Sequence, residues 1–516
     1  MEPIRHRSGR SGRFAAFLAP FCVAAALPLA GCPTVREHRV AYDPIEDRPN
    51  LLIVVADDLS GLWTGAGGDA RGATPQLDAL ASQGVLFSRA YCNSPLCTSS
   101  RQSFLTGKLP HAVGVTRLET RLPEGVRTLG TWLGEHGYHT AAIGKMHFNG
   151  PSHHGFETRV DVADWRRHLE QSPPAGGDHR RPWRPFVDPA AAWLNARCED
   201  EGLPAESTSA AYFVDRALEV IRREQDRPFA MVVSFYEPHA PFRFPREWNG
   251  RYREDAFQVP KVTEAESREI PRAFRDLTEG DIRGIQAAYY TSTSFMDHQV
   301  GRLLRGLDES GLGEKTLVVF LGDNGYLLGQ HGRVEKNCFY EPAVRVPLIL
   351  RWPGKLPKGC RVEDLVELVD LFPTACKLLD VPLPDDLQGK DLSDLARGKP
   401  GAAGHDFVFS EYNENEEAMI RTARHKLVLG TGRRARRDHL ESDRPPSGPY
   451  LRLFDIQKDP DEKVDLSGDP SLEAVRRELI GAMHDRIVRS WTGPEPIPDG
   501  LLPRDAIEWC LAPRDP

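Results

Sequence analysis

The sequence predicts an α/β fold, in which a large, mainly parallel or mixed sheet is sandwiched by helices and followed by a smaller antiparallel sheet with one helix. Three observations carry this. Short, continuous apolar runs rich in β-branched residues alternate with amphipathic segments, as buried parallel strands and their crossover helices do. Polar clusters follow the ends of those runs, where open α/β sheets bind ligands. Past about Asp380 the texture changes to short strand-like segments with turns between them.

Leu51 to Ala56 reads Leu-Leu-Ile-Val-Val-Ala and ends in Asp57-Asp58, a buried strand with a polar loop at its carboxyl end. Thr74-Pro75 opens a helix, Thr as N-cap and Pro at the first position, and Gly84 ends it. Leu129 to His136 is a helix stopped by Gly137, and Tyr138 to Ile143 a strand ending at Gly144-Lys145. Between Trp165 and Pro204 the pattern dissolves into Pro, Gly and charge, which reads as an insertion or lid. Ser207 to Arg223 is a helix, Phe229 to Tyr236 a strand ending before His239, and Asp281 to Leu307 a long helix. Thr316 to Leu321 is a strand ending at Asp323-Asn324, Val346 to Arg351 another, and Leu371 to Leu379 a helix. Residues 50–380 thus form one α/β domain. Residues 381–516 form a smaller α+β subdomain, with strands near Asp406 to Tyr412, Glu417 to Arg421, Lys426 to Leu429 and Leu451 to Ile456 and a helix from about Ser471 to Trp491.

The chain of 516 residues is 40% hydrophobic and 27% charged, an ordinary soluble composition with ample material for a large core. The formal net charge of -8 argues against a nucleic-acid binder, so any anion site must be local. Arg5, Arg7, Arg10 and Arg13 precede an uncharged apolar stretch from Phe14 to Leu29, a secretory signal too short for a comfortable membrane span. It closes with Leu29-Ala30-Gly31-Cys32, which resembles a bacterial lipobox. Residues 1–31 are therefore expected to be a lipoprotein signal peptide, and Cys32 the lipidated first mature residue. Residues 32–49 read as a tether. The chain is expected on the periplasmic face of a membrane, the outer membrane foremost. Of 9 cysteines none forms a Cys-x-x-Cys pair, so most read as buried thiols, with a disulfide chemically allowed after export.

Asp57, Asp58, Asp323 and Asn324 follow two strand ends and supply hard oxygen ligands suited to a divalent cation such as Ca²⁺. An Asp-Asp pair alone is more often a turn or N-cap; the second acidic pair shifts the balance to metal. Lys145 and His147 follow another strand end with one residue between them, so in an extended loop they point the same way.

The decisive segment is Cys97-Thr-Ser-Ser-Arg101, continuing to Leu105-Thr-Gly107. With Leu51 to Asp58, Gly144-Lys-Met-His147, Pro238-His239-x-Pro241, Gly322-Asp-Asn-Gly325, and Lys336 followed by Tyr340-Glu341 and Arg345-Val-Pro347, it resembles the type I sulfatases of the alkaline-phosphatase-like superfamily. The resemblance runs from Asn50 to about Asp469, with local similarity to choline-sulfatase-like members over residues 144–157. It implies that Cys97 is oxidised to formylglycine by a separate maturation enzyme. One oxygen of the aldehyde hydrate then attacks the sulfur of a sulfate ester, and the carbonyl reforms as sulfate leaves. It implies further that Asp57, Asp58, residue 97, Asp323 and Asn324 hold one cation, that Arg101 fixes the hydrate, and that Lys145 and Lys336 clamp sulfate. His239 would protonate the leaving oxygen, and His147 would be the base for elimination. His331 is a further candidate for substrate contact; His153 and His154 are weaker ones. Ser99 departs from the family, which usually has Pro there. The substrate expected is a sulfated small molecule or carbohydrate. Two other readings stay open: a phosphonate or phosphate ester hydrolase on the same scaffold, and a non-catalytic binder of sulfated ligands, which Ser99 alone favours.

Overall fold

The first strand explains the layering. In β1 (Asn50–Ala56) every residue is buried. Leu51, Ile53 and Val55 face one apolar cluster, and Leu52, Val54 and Ala56 face another, so the sheet is covered on both sides. The structure is a computed structural model that describes residues 48–174, 202–223, 227–434, 440–442, 448–493 and 495–514. The signal peptide and nearly all of the tether expected from the sequence lie outside these residues, and so does most of the expected insertion, residues 175–201. No described helix is long and apolar enough to cross a membrane.

The large sheet continues with β2 (Val85–Tyr91), β3 (His139–Gly144), β4 (Thr158–Val160), β5 (Phe229–Ser234), β6 (Thr316–Gly322), β7 (Arg345–Val346), β8 (Leu348–Arg351) and β9 (Cys360–Glu367). Its order is β4-β3-β5-β1-β6-β8-β2-β7, with β9 paired to β2. Strands β4, β3, β5, β1 and β6 are mutually parallel, while β8 runs antiparallel to β6. One strand expected over Val346 to Arg351 is divided at Pro347, which has no N–H for the ladder.

One face is covered by α2 (Cys97–Thr106), α3 (Leu129–Glu135) and α7 (Leu371–Leu378), through Phe104, Leu105, Leu133 and Phe372. The other is covered by α1 (Pro75–Ser82), α5 (Ser209–Arg222) and the long α6 (Glu279–Glu309), through Leu77, Phe213, Leu218, Tyr289 and Leu303. Between α3 and α5 lies α4 (Val162–Gln171), whose first turn is closed by a capping box of Asp161 and Asp164. Trp165, where the sequence suggests an irregular insertion, is a buried residue of this helix.

The small sheet is an antiparallel meander of β10 (Phe407–Tyr412), β11 (Glu417–Thr422), β12 (His425–Gly430) and β13 (Tyr450–Asp455). It packs on α8 (Glu473–Ser490) and α9 (Pro503–Leu511) through Phe409, Ile420, Leu427, Met483 and Ile507. Leu109 and Val369, from the chain around the large sheet, lie in the same cluster. Cys92, Cys97, Cys338, Cys376 and Cys510 are buried free thiols.

Candidate active site

Four neighbouring parallel strands, β3, β5, β1 and β6, end on one edge of the sheet, and the polar residues that follow them meet there. Asp57 and Asp58 follow β1, Asp323 and Asn324 follow β6, Lys145 and His147 follow β3, and Ser234 closes β5. Cys97 is the first residue of α2, and Arg101 lies one turn on, facing the same edge. The position of Ser99 has a simple backbone logic. The first-turn amides of a helix have no intrahelical acceptor, and the first α2 amide to find one is Ser100, bonded to the Leu96 carbonyl at 2.9 Å. Ser99 therefore occupies a place where proline costs no hydrogen bond.

Arg101 organises the cluster and is 1% exposed. Its Nε donates to Asp323 Oδ2 at 2.7 Å, and its Nη1 donates to Ser234 Oγ at 2.7 Å and to the Lys145 carbonyl. Its Nη2 lies 3.6 Å from Asp57 Oδ1. The Lys145 ammonium donates to Asp57 Oδ2, and the Lys336 ammonium to Asp58 Oδ1. Asp323 Oδ1 accepts the backbone N–H of Asp58 at 3.0 Å and of Asn324 at 2.8 Å, joining the two strand ends. Asn324 Nδ2 donates to Asp58 Oδ1 at 2.7 Å. His239 turns Nε2 toward Asp58 Oδ2 at 3.8 Å, while its Nδ1 is committed to the Ala240 carbonyl at 2.5 Å.

The electrostatics follow from burial against this balance. Burial opposes the Asp57 carboxylate, but Lys145, His239, Arg101 and Lys336 outweigh it and hold its pKa well below the usual range. Asp323 goes the other way, pushed up to about 6 by burial and by Asp57 and Asp58 despite Arg101. Burial and the adjoining Lys145 and Arg101 hold His147 well below its ordinary value, so its imidazole is neutral, with a buried Nδ1 that has no hydrogen-bond partner. Burial raises the Cys97 thiol, with Asp57 and Asp323 adding to the effect against Lys145 and Lys336. An unmodified Cys97 is therefore a protonated, weak nucleophile.

The donor set fits a hard divalent cation. Ligand atoms of Asp57, Asp58 and His239 lie within 4.8 Å of one another. Asp57 Oδ1 and Asn324 Oδ1 are buried oxygens without hydrogen-bond partners, which in a native site calls for an explanation such as an ion. Three carboxylates, Asp57, Asp58 and Asp323, face three fixed cations, Arg101, Lys145 and Lys336. A bound divalent cation leaves the cluster net positive, as an anionic substrate needs.

A family model described as sulfatase matches residues 49–381. The chain belongs to the sulfatase family. A second model, described as the C-terminal part of N-sulphoglucosamine sulphohydrolase, matches residues 329–489 of the sulfatase. The Delta 4,5-hexuronate-2-O-sulfatase of Bacteroides thetaiotaomicron is 28% identical over 472 residues, which cover 86% of this sulfatase and 90% of that one. The choline-sulfatase of Rhizobium meliloti is 29% identical over 473 residues, covering 86% and 87%. Among solved structures, the phosphonate monoester hydrolase of Agrobacterium radiobacter matches with a TM-score of 0.72 at 24% identity, covering 86% of this chain and 96% of that one, a likeness of fold. The sulfatase is thus a sulfuric ester hydrolase on an alkaline-phosphatase-like fold, and the edge of the large sheet is where its sequence motifs converge.

Not every candidate joins the cluster. His331 donates or accepts at Nδ1 with Glu266 Oε1 at 2.7 Å and stacks on Tyr340 with ring centroids 3.5 Å apart. Burial pushes it down to about 4 against the pull of Glu266, and the other charges it feels are Arg333 and Lys426. His153 Nδ1 donates to the Phe156 carbonyl at 3.1 Å, and His154 packs on Phe148 at 4.7 Å. Sequence reasoning passed over Ser234, which receives Arg101, and Ser100, whose hydroxyl donates to the Asp323 carbonyl. A serine closing an apolar strand at the ligand-binding edge was the available signal for Ser234.

Proposed function

We propose that the sulfatase hydrolyses the sulfate ester of a sulfated carbohydrate or small molecule, using formylglycine formed at Cys97 and one divalent cation, most simply Ca²⁺. The observation that carries this is the convergence of Asp57, Asp58, Asp323, Asn324, Arg101, Lys145 and Lys336 around the amino end of α2, where a protonated thiol has no use as a nucleophile.

Asp57, Asp58, Asp323 and Asn324 would hold the cation together with an oxygen of modified residue 97, and the cation would polarise the ester as a Lewis acid. Formylglycine at residue 97 would supply, as its hydrate, the attacking oxygen and the second hydroxyl needed to release sulfate. The chain's own groups do the rest. Arg101 keeps Asp323 and Asp57 in register with residue 97. Lys145 and Lys336 would neutralise the ester oxygens: their ammonium groups, held by Asp57 and Asp58 in residues 8% exposed, both act on residue 97. With the Nδ1–H of His239 given to a carbonyl, the proton it hands to the leaving oxygen must be a second one on Nε2, so His239 acts from the imidazolium, which burial opposes and Asp58 and Asp57 favour. His147, kept neutral, accepts the proton whose removal frees sulfate. His331 would contact only a substrate large enough to reach beyond the cluster. A maturation enzyme acting on the Cys97 segment, export through the signal, and a lipid on Cys32 complete the proposal.

Two measurements test it together. Mass spectrometry of the Cys97 peptide should show the aldehyde in place of the thiol. A turnover screen with aryl sulfate, sulfated oligosaccharides and a phosphonate monoester should favour a sulfate ester. Cys97→Ser, lacking the second hydroxyl, should form a sulfated protein and stall, whereas Cys97→Ala should do neither. Multiple turnover by Cys97→Ala at the wild-type rate would overturn the nucleophile; preference for the phosphonate would overturn the substrate class.

A further inference from the structure

The loops of the site rest on three aromatic rings that no catalytic motif contains. Phe242 lies three residues beyond His239, Tyr326 two beyond Asn324, and Tyr289 comes from the middle of α6. Phe242 meets Tyr289 edge-on at 5.6 Å and Tyr326 edge-on at 5.5 Å, and the two tyrosine rings stack at 5.9 Å. None is more than 3% exposed. Each ring is tied to a different loop. The Phe242 amide donates to the His239 carbonyl at 3.0 Å. The Tyr326 hydroxyl donates to the Val334 carbonyl at 2.8 Å, two residues before Lys336. The Tyr289 hydroxyl donates to the Asp58 carbonyl at 2.7 Å. That one hydroxyl ties α6 to the turn that follows β1.

That turn needs closing. Asp58 has a φ of 63°, a left-handed conformation that a residue with a side chain keeps only when its surroundings hold it. In that conformation its carboxylate meets Lys336 and Asn324, and lies within reach of His239.

We propose that the Tyr289 hydroxyl is a positioning group for cation binding, holding Asp58 in its ligand-presenting turn from the second layer of the site. This rests on the cation reading above. Supporting groups of this kind tune metal affinity about 10–100-fold in characterised sites. Tyr290, the next residue of α6, supplies the control. Its hydroxyl bonds Asp69 and receives Arg71 Nη1 at 2.9 Å, so it is a buried phenol of the same helix with partners away from Asp58.

The experiment compares chelator-stripped wild type, Tyr289→Phe and Tyr290→Phe by calorimetric titration with Ca²⁺, alongside unfolding midpoints in EDTA. The expected result is Ca²⁺ affinity at least about tenfold weaker in Tyr289→Phe, wild-type affinity in Tyr290→Phe, and similar midpoints for the two variants without metal. Wild-type affinity in Tyr289→Phe would overturn the inference and leave the cation reading intact. Equal weakening in both variants would also overturn it, showing a general loosening of α6. Failure of the wild type to bind Ca²⁺ would defeat the cation reading and this inference with it.

Discussion

Arg101 directs every nitrogen of its fork to the site: Nε to Asp323, Nη1 to Ser234 and the Lys145 carbonyl, Nη2 toward Asp57. A lysine carries the same charge but one donor centre, and cannot reach strands β1, β5 and β6 together. Arg101→Lys is therefore expected to lower kcat/KM by at least about 100-fold. Arg101→Ala is expected to cost about 3–5 kcal/mol of stability as well, because it strands Asp57 and Asp323 in the interior. Steady-state kinetics and denaturant unfolding check the two effects separately; an Arg101→Lys enzyme with wild-type kcat/KM would show that the fork is not needed. At this scale Asp57, Asp58, Lys145 and Asp323 were legible because each sits beside Gly or another charged residue at the end of an apolar run, whereas Arg101 and Lys336 were legible only through the family resemblance. Their partners were not. Ser234, Tyr289 and the Ser100 hydroxyl act through hydrogen bonds across 133, 231 and 223 positions of sequence, a separation no local pattern encodes.

Between elements, the small sheet is fixed to the large one by polar contacts at the end of β9. Glu367 accepts the Phe409 N–H of β10 at 2.7 Å and Arg486 Nη2 of α8 at 2.8 Å. Asp370 Oδ2 accepts from His405 Nε2 at 2.8 Å, and Asp370 Oδ1 from the Lys390 N–H at 2.7 Å. Burial works against the charged form of His405, yet Asp370 and Glu367 prevail over burial and Arg486 and raise its pKa. A raised folded pKa means that His405 stabilises the protein fully below its unfolded value, about 6.5, and that this contribution is lost as pH rises through the folded value. His405→Gln is thus expected to cost about 1–2 kcal/mol near pH 5.5 and much less near pH 9, measured as the difference in urea midpoints against wild type. An equal cost at both pH values would mean that the contact does not depend on charge. The same junction shows why β9 escaped the sequence reading. Cys360–Glu367 reads Cys-Arg-Val-Glu-Asp-Leu-Val-Glu, with charges through half its length, and it is a strand because β2 supplies a parallel partner. Strand β2 was hidden similarly by Ser88 and Arg89, while the uniformly apolar β1, β5 and β6 announced themselves.

For the whole molecule, two consequences follow, one from the charge balance of the site and one from the length of the tether. The first concerns the cation. Three carboxylates and three fixed cations balance without it, so the protein is expected to fold in EDTA, and Ca²⁺ at about 100 times its Kd to add about 2.7 kcal/mol by linkage. A scanning calorimeter would register this as a rise in unfolding temperature on adding Ca²⁺, and an unchanged transition would count against a site at Asp57 and Asp323. The second concerns the tether. The proposed lipid on Cys32 is joined to Asn50 by residues 32–49, which can extend at most about 60 Å. The chain enters the sheet at the amino end of β1 and delivers Asp57 and Asp58 at the other end, about 23 Å away along the strand. A tether that much longer than the strand leaves the site edge free to face away from a membrane holding Cys32. Wild type is expected to sediment with membranes and Cys32→Ala to remain soluble. Both forms should show the same kcat/KM on aryl sulfate and on a sulfated polysaccharide. If Cys32→Ala sediments like wild type, the lipobox reading fails. If the anchored form alone loses tenfold or more on the polysaccharide while keeping its rate on aryl sulfate, the membrane shields the site and the tether does not free it.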